Sequence, residues 1–539
     1  MATETGRTSG RDSARAALVV FVVFALAMVP LLVHWGDKWW FWADDWDFLA
    51  TRTGGNLGDL FRAHYQHWVT LPVLAYRLLW VLFGIRSYLP YQLLVIALHL
   101  TAAGLLRAVM RRAGVRPWMA TLVAGGFVLF GAGAENIVVA FQITFVGALV
   151  FGLAQLLLAD HDGPVGGRDA LALLAGLAGL MCSGVAIGMV LIVGLAMLAR
   201  RGWRIALLQT VPLAVAYAVW SLASPKGRGA NGYRSQTALQ VVKFVGIGIG
   251  SAFGRLAQVP FLGFVLVALL VAGLVVAIRA AGPRVGRGPL AVPLALLAGA
   301  VLFLLVTGLV RSGQAAALAG ARGTGPERAR QSRYVYLVAA LALPALAVAA
   351  DTIARRWRAL TIPIVVLLLL GIPGNIEDLR SYANLSSIDR AQFRREVLAA
   401  PRLPLARQLP RWLKPAPTAS FSGLTLGWLI DSLPSGRVPS PGTLTPTQQS
   451  TLELRLALQR ALVPTHDGCR VLTATERFSL AAFHKLTLRS GTASITYLPV
   501  DGAPSVPLRF GSGTSYVAHA GPLPLEIEPG QQPARLCGR

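Results

Sequence analysis

Long apolar runs recur along most of this 539-residue chain and leave few folds open to it. Roughly 20 helical residues, at 1.5 Å each, cross the hydrocarbon of a bilayer. Runs near that length lie at residues 16–34, 88–106, 117–133, 139–159, 169–183, 185–199, 205–222, 261–279, 289–310, 334–351 and 359–373. Because lipid satisfies no backbone hydrogen bonds, each run is expected to be helical. The sequence therefore predicts a mainly α, polytopic membrane helical bundle of about 11 transmembrane helices.

The first run follows a basic segment that contains Arg7, Arg11 and Arg15. Secretory signal peptides begin in a similar way, but their apolar region is shorter and a small-residue cleavage site follows it. This run is long and no clear site of that kind follows it. We therefore interpret it as a retained first helix.

Basic residues in short loops predict how the bundle is oriented. The net charge is +26, which in a soluble protein would suggest a nucleic-acid partner. Here the arginines cluster after the second, sixth, eighth and tenth runs. An excess of arginine and lysine in short loops is typical of the cytoplasmic side. The clusters are Arg111, Arg112 and Arg116; Arg200, Arg201 and Arg204; Arg279, Arg284 and Arg287; and Arg355, Arg356 and Arg358. We expect a multi-pass protein of the plasma or inner membrane, with a cytoplasmic N-terminus, an extracytoplasmic C-terminal domain and no nucleic-acid partner.

Two segments admit more than one interpretation. The runs 169–183 and 185–199 are short, so they could form a tight helical hairpin or a broken re-entrant pair. Segment 237–258 is moderately apolar but carries Lys243 and Arg255. Counting it as a span would invert the topology of everything after it. We interpret it as an interfacial or re-entrant helix.

The predicted domains are a membrane part, 1–373, and an extracytoplasmic part, 374–539. The membrane part includes a long first outer loop, 35–87. The second part is long enough for a soluble domain. Segment 446–462 is amphipathic, and strand-like alternation with Gly, Pro and Ser breaks begins at Arg470, Lys485, Ser494 and Leu523. That pattern predicts a small β-sandwich or sheet.

Cys469 and Cys537 bracket the strand-like region. On an oxidising side of the membrane they could form a disulfide. Closing so long a loop would contribute about 4 kcal/mol by loop-closure entropy. The alternative is two free thiols. Cys182 lies in an apolar run and is expected to be a small core residue.

Three acids follow the first apolar run, in the stretch Trp42-Ala43-Asp44-Asp45-Trp46-Asp47. Insertion into the membrane does not need them, and they cost desolvation energy wherever lipid or protein closes over them. Acids retained at such a cost are functional candidates. Asp44 and Asp45 are the first choices, and Asp47 is a third.

The same loop contains His64 and His67, whose spacing would let one helix face present both. Carboxylates with histidines can abstract a proton or hold a divalent cation such as Mg, Mn or Ca. Asp45 and His64 are the possible metal ligands, although no pattern is diagnostic and no cofactor is certain. The alternative is an ordinary interface helix with its histidines at the headgroup level.

Several cations fall in loops predicted to lie outside, against the usual charge bias. Bidentate binding of phosphate is a natural use of arginine there, although a solvated or headgroup-bound arginine is an alternative for each. The best candidates are Arg330 and Arg333, at the mouth of a late helix. The set is Lys226, Arg228, Arg234, Arg311, Arg322, Arg328, Arg330 and Arg333.

Glu135, Asn136 and Gln142 lie at the predicted outer ends of the third and fourth runs. They could contact a sugar. Helix capping or a hydrogen bond between helices would explain them as well.

These features together resemble the GT-C-fold membrane glycosyltransferases, which include protein O-mannosyltransferases, aminoarabinose transferases and arabinosyltransferases. The resemblance is carried by the acidic pair after helix one, outer amphipathic helices, the span number and the Arg330-x-x-Arg333-Tyr334 motif. It covers residues 1–373. The C-terminal part resembles the carbohydrate-binding modules of some members only in position and predicted class.

The resemblance implies transfer of a sugar from a polyprenyl-phosphate donor to a cell-envelope glycan, lipid or protein acceptor on the outer face. It implies that Asp44 or Asp45 is the general base, and that Arg330 and Arg333 hold the donor phosphate. From their charge in an outer loop, Lys226 and Arg228 are further candidates for binding that phosphate. The family's acidic pair is often Asp-Glu, so Asp-Asp leaves the base unassigned between the two. Candidate substrate-binding residues are Asp47, His64, His67, Glu135, Gln142 and Tyr334.

Three other function classes fit parts of the sequence. A transporter or flippase of lipid-linked saccharides predicts ionisable residues in mid-helix and repeat symmetry, and neither is clear here. A ligase with a diphosphate-linked donor would use the outer arginines and a histidine but would leave Asp44 and Asp45 unexplained. A scaffolding protein predicts that these acids are dispensable. The chain contains no Walker-type loop, in keeping with a lipid-linked rather than a nucleotide-linked donor.

Overall fold

The computed structural model describes residues 2–52, 56–224, 237–282, 287–311, 325–385, 387–416 and 423–538, without the side chains of 2–11 and 383–389. The chain forms two compact units. The first unit comprises Met1–Trp39, Gly54–Tyr76 and Leu89–Ser386, and the second comprises Trp40–Thr53, Arg77–Tyr88 and Ser387–Arg539. The predicted first outer loop thus contributes residues to both units, and the second unit also takes in residues 387–539.

Helices account for most of the described chain. Their positions follow the apolar runs, because a helix satisfies its own backbone hydrogen bonds in lipid. They are α1 Ala2–Gly36, α2 Asp44–Ala50, α3 Gly58–Phe61, α4 Thr70–Phe83, α5 Leu89–Arg112, α6 Pro117–Val128, α7 Ala134–Val138, α8 Ile143–Ala159, α9 Gly167–Leu180, α10 Val185–Arg200, α11 Trp203–Ala223, α12 Ala238–Ala257, α13 Leu262–Ala281, α14 Ala291–Arg311, α15 Ser332–Arg356, α16 Thr361–Leu369, α17 Ile372–Leu385, α18 Ser387–Ala399, α19 Leu426–Ser432 and α20 Pro446–Ala457.

Nine helical segments among the described residues are long and apolar enough to cross a membrane. The pair Pro117–Val128 and Gly131–Val138, bent by 45°, passes the same test together and raises the number to ten. The chain is therefore a multi-pass membrane protein, and the predicted polytopic helical bundle is confirmed. The central helix, α15, is buried along nearly its whole length.

Helices α9 and α10 are shorter than these spans and form a hairpin along α8. Cys182, between the two helices, packs against Gly147 near the start of α8. Arg201, just after α10, donates to the carbonyl of Ala159 at the end of α8 (2.9 Å) and pairs with Asp169 in the first turn of α9. The start of α9 and the end of α10 therefore meet at one end of α8. Of the two interpretations of 169–183 and 185–199, the structure favours the hairpin.

Polar contacts define the two ends of the bundle in the first unit. At one end, Ser332 donates to the carbonyl of Ala132 (2.7 Å), and the amide of Ala132 donates to the Asn375 side chain (3.1 Å). At the other end, Asp351 pairs with Arg116 and with Arg355 (2.6 Å). We call these the Ser332 end and the Arg356 end, after the two limits of α15.

Helix α12 has the length of a span, but residues in both of its halves meet the Ser332 end. In its first half, the Phe244 ring lies 6.2 Å from the ring of Tyr334. Near its end, the carbonyl of Arg255 accepts a hydrogen bond from Asn375 (3.0 Å). In a helix that crossed the membrane, these two residues would be separated by about 16 Å along the bundle. The contacts instead place α12 across the Ser332 end, as expected of an interfacial or re-entrant helix.

Cysteine labelling tests this placement of α12. Leu239→Cys and Phe261→Cys, at its two ends, should react with a membrane-impermeant maleimide from the same side of the membrane. Arg279→Cys, near the end of α13, should react only from the opposite side. All three positions are exposed in the structure. Reaction of positions 239 and 261 from opposite sides would show that α12 crosses the bilayer.

The C-terminal part of the second unit contains two antiparallel sheets. The strands are β1 Leu458–Arg460, β2 Cys469–Leu472, β3 Glu476–Leu480, β4 Lys485–Ser490, β5 Thr492–Tyr497, β6 Leu508–Gly511, β7 Ser515–Ala518, β8 Leu523–Pro529 and β9 Ala534–Gly538. One sheet has the order β1-β7-β4-β9-β2 and the other the order β3-β8-β5-β6. Leu488 and Leu536 of the first sheet share one buried core with Ile495 and Ile527 of the second. The sheets therefore form a sandwich.

The cysteines lie where the sandwich brings strands together. Cys469 and Cys537 are opposite residues of β2 and β9 and form a disulfide. This bridge joins an edge strand to the interior of the five-stranded sheet. Cys182 is a buried free cysteine of the first unit, as a small core residue would be.

Candidate substrate-binding site

A polar cluster forms at the Ser332 end of the first unit. Gln142 donates to the Glu135 carboxylate (2.7 Å), and the Arg333 guanidinium lies 3.6 Å from the same oxygen. The amide of Glu135 donates to the Ser332 hydroxyl (3.3 Å), and Arg333 also donates to the Gln331 side chain (2.9 Å). Helices α7 and α15 thereby hold an arginine and a carboxylate side by side. Glu135 and Gln142, selected from sequence, are joined here to one of the predicted phosphate ligands.

Two further arginines act on the same region. Burial is the main cause that lowers the pKa of Arg328, and the charges of Arg311 and Arg333 lower this pKa further. Tyr334 acts in the opposite direction and raises the pKa of Arg328. The charges of Arg311 and Arg333 therefore both repel the charge of Arg328. An anion bound among them would relieve this repulsion, because an opposite charge favours the charged form of each. Guanidinium groups also match the geometry of phosphate oxygens.

The two arginines of the Arg330-x-x-Arg333-Tyr334 motif differ in their surroundings. Arg330 ends the 3₁₀ helix Gly325–Arg330, is 61% exposed and pairs with Glu327. Arg333 is 29% exposed and lies over the ring of Tyr334, at 5.4 Å. Tyr334 itself is buried. Of the predicted pair, Arg333 is the residue that belongs to the polar cluster.

The expectation that one helix face presents His64 and His67 is wrong. Each residue donates its amide to the carbonyl of the other (3.0 and 2.9 Å), which forms an isolated antiparallel bridge. Tyr65 between them has φ 54°, in the left-handed region that ends regular structure. A spacing of three residues occurs both in a helical turn and in a tight chain reversal. The spacing of the two histidines therefore did not distinguish between these two structures. His64 is buried, with its ring 5.5 Å from that of Phe141.

Aromatic packing fixes this chain reversal against α11. The indole rings of Trp68 and Trp220 are parallel, with centroids 5.2 Å apart. Trp68 donates to the Thr70 hydroxyl (2.7 Å), and Trp220 donates to the carbonyl of Phe61 (2.7 Å). Buried indole N–H groups that find partners favour a single arrangement. The segment is thus held on both sides of the two histidines.

His67 lies within the field of the arginine cluster. Its pKa is lowered to about 4, by burial first and then by the charges of Arg311 and Arg333. Its Nδ1 atom accepts a hydrogen bond from the amide of Gly184 (3.2 Å), in the turn between α9 and α10. The imidazole is therefore neutral at physiological pH.

The acids of the predicted first loop belong to α2 in the second unit. Asp45 is 1% exposed and its carboxylate accepts a hydrogen bond from the amide of Trp42 (2.9 Å). The buried rings of Phe41 and Trp46 pack together beside it, with centroids 5.6 Å apart. Asp45 therefore contributes to the local fold. Asp44, the preceding residue, is only half-buried.

Backbone strain singles out the start of α2. Ala43, directly before Asp44, has φ 43° and ψ −108°. A residue with a Cβ atom rarely adopts positive φ, at a cost of about 1–3 kcal/mol. Such strain clusters at functional sites, where it fixes the direction of a side chain. The outlier supports a functional role for the acids that follow it.

The remaining sequence candidates divide into three groups. Asp47 is half-buried on α2, and its carbonyl accepts a hydrogen bond from Thr51 (2.7 Å). Asn136 is buried on α7. Lys226, Arg228, Arg234 and Arg322 lie outside the described residues. Sequence analysis did not select Gln331, Ser332 or Gly184; the first two lie inside the arginine motif, and only the fold shows that Gly184 contacts His67.

Comparison with known proteins gives a structural likeness. No family model matches the chain, and no curated protein matches it. The fold is similar to the crystal structure of ArnT from Cupriavidus metallidurans in the apo state, with a TM-score of 0.46 and 16% sequence identity. The match covers 77% of this chain and 85% of that one.

Proposed function

We propose that this protein is a membrane glycosyltransferase that transfers a sugar from a polyprenyl-phosphate donor to a hydroxyl of a cell-envelope glycan, lipid or protein. The observation that supports this most is the group of three arginines, Arg311, Arg328 and Arg333, at the Ser332 end. Like charges are costly to hold together, and an anionic substrate gives them a common partner.

The charge distribution supports an outer location for this group. Three arginines lie at or beside the Arg356 end: Arg111, Arg116 and Arg355. A fourth, Arg201, lies at the end of α8, where it contacts Ala159. Short loops with such an excess of arginine face the cytoplasm. We therefore assign the Ser332 end to the outer face, where a polyprenyl carrier in the membrane presents its sugar phosphate.

The proposed chemistry is a single displacement. A general base removes the proton of the acceptor hydroxyl, its oxygen attacks the anomeric carbon, and the bond from that carbon to the phosphate oxygen breaks. The polyprenyl phosphate leaves with the bonding electrons, and the arginine charges stabilise it. Asp44 is the proposed base, because Asp45 is buried and hydrogen-bonded to backbone.

A transfer assay tests the proposal. The purified full-length protein in lipid nanodiscs is mixed with acceptor-containing envelope extract and with a panel of radiolabelled polyprenyl-phosphate sugars. We expect at least one sugar to move to the acceptor fraction, and a chelator arm tests the predicted divalent cation. Transfer only from diphosphate-linked donors would indicate a ligase. Movement of the donor across proteoliposome membranes without transfer would indicate a transporter.

A further inference from the structure

We infer that His67 binds the donor phosphate as a fixed neutral hydrogen-bond donor, through Nε2–H. This inference rests on the proposed function, since it assigns a ligand to the same arginine cluster. It adds a residue whose role follows from its hydrogen bond to Gly184 and from its place in the cluster.

The hydrogen bond to Gly184 determines the tautomer of the imidazole. A backbone N–H can only donate, so the Nδ1 atom that it meets at 3.2 Å carries a lone pair. A neutral imidazole with an unprotonated Nδ1 carries its proton on Nε2. Within the part of the chain that the structure describes, Nε2 has no protein acceptor. The N–H group is therefore available to a ligand.

A chain of contacts within the first unit connects the His67 segment to the polar cluster. Its backbone is bonded to that of His64, whose ring packs on Phe141. The next residue, Gln142, donates to Glu135, which in turn lies beside Arg333. The charges of Arg311 and Arg333 also act on the His67 ring.

A neutral donor suits a site that already holds three positive charges. A fourth cation would add to the repulsion among Arg311, Arg328 and Arg333 and would itself be disfavoured. A neutral N–H group adds a hydrogen bond to the phosphate without that cost. The hydrogen bond from Gly184 selects this neutral form, because it needs a lone pair on Nδ1.

Gly184 is required for this arrangement. A Cβ atom at position 184 would lie 2.6 Å from Nδ1 of His67, closer than such atoms approach in proteins. Gly184→Ala should therefore displace the imidazole without touching the arginines. Gly188→Ala is the matched control, because a Cβ atom at position 188 of α10 meets nothing within 4 Å.

Two replacements of His67 separate its two nitrogens. The side-chain amide nitrogen of Gln reaches the place of Nε2, whereas the amide group of Asn reaches only the place of Nδ1. We expect His67→Asn and Gly184→Ala to weaken binding of radiolabelled polyprenyl phosphate to the full-length protein in nanodiscs by about 10-fold. We expect His67→Gln and Gly188→Ala to stay within about threefold of wild type. Size-exclusion chromatography confirms that each variant remains folded.

Wild-type affinity in both His67→Asn and Gly184→Ala would overturn the inference, because each change removes or displaces the Nε2–H group. If the wild-type protein binds no polyprenyl phosphate, the proposed function itself fails, and this inference with it.

Discussion

Asp44→Asn should reduce sugar transfer by about 10²–10⁴-fold, the usual contribution of a general base, while the affinity for the polyprenyl-phosphate donor stays unchanged. The amide is nearly isosteric with the carboxylate but does not take up the acceptor's proton. The measurement is kcat from initial rates at saturating donor, together with donor binding in nanodiscs. Ala43, strained at φ 43°, stays in place, so the variant tests the carboxylate and not the backbone.

Asp45→Asn and Asp47→Asn are matched controls on the same helix. The Asp45→Asn variant would keep a side-chain oxygen for the amide of Trp42, so we expect transfer within about 10-fold of wild type. Asp47 is half-buried, like Asp44, and its replacement should leave kcat within a similar range. If Asp45→Asn abolishes transfer and Asp44→Asn does not, the buried acid is the base and the assignment from burial is wrong. If all three variants transfer normally, the acids have no catalytic role.

Hydropathy predicted the helical part of the fold because lipid imposes one requirement on every span, an internally bonded backbone of sufficient length. This is why the eleven apolar runs all correspond to helices in the described chain, including the short hairpin of α9 and α10. The interpretation of segment 237–258 as an interfacial or re-entrant helix came from Lys243 and Arg255, which reduce its apolar character. Strand alternation likewise located β2, β4, β5 and β8 in the sandwich.

Only some residues of the candidate site could be predicted from the sequence. Arg333 was selected because it is a positive charge in a loop predicted to lie outside, where arginine is less common. That criterion uses the sequence alone and does not depend on which residues contact Arg333. The contact of His67 with Gly184 spans 117 residues and has no local signature. The two histidines were assigned to a helix because the spacing alone was considered, whereas Tyr65 between them adopts a left-handed conformation that no helix allows. The choice between Asp44 and Asp45 as the base depended on their burial in the structure. The sequence does not show that difference, because the two residues are adjacent and identical.

Arg333→Gln should weaken donor binding by about 10–100-fold, the range for loss of a hydrogen bond to a charged group. Arg333 contributes one of the three charges of the cluster and lies beside Glu135, so its loss also leaves that carboxylate facing the phosphate. Arg333→Lys keeps the charge but loses the planar fork, so we expect an intermediate effect. The measurement is the donor Kd in nanodiscs, with kcat/KM from the transfer assay.

Arg330→Gln is the matched control for Arg333→Gln, since it removes the same charge three residues away in the same motif. Arg330 is 61% exposed and pairs with Glu327, and exposed ion pairs contribute little because water and salt screen them. We therefore expect donor affinity within about threefold of wild type. Equal losses in the two variants would show that binding depends on the overall charge of the outer loop. A specific loss in Arg333→Gln would show that the phosphate is held at one guanidinium, where the fold has placed a carboxylate, a tyrosine ring and two other arginines around it.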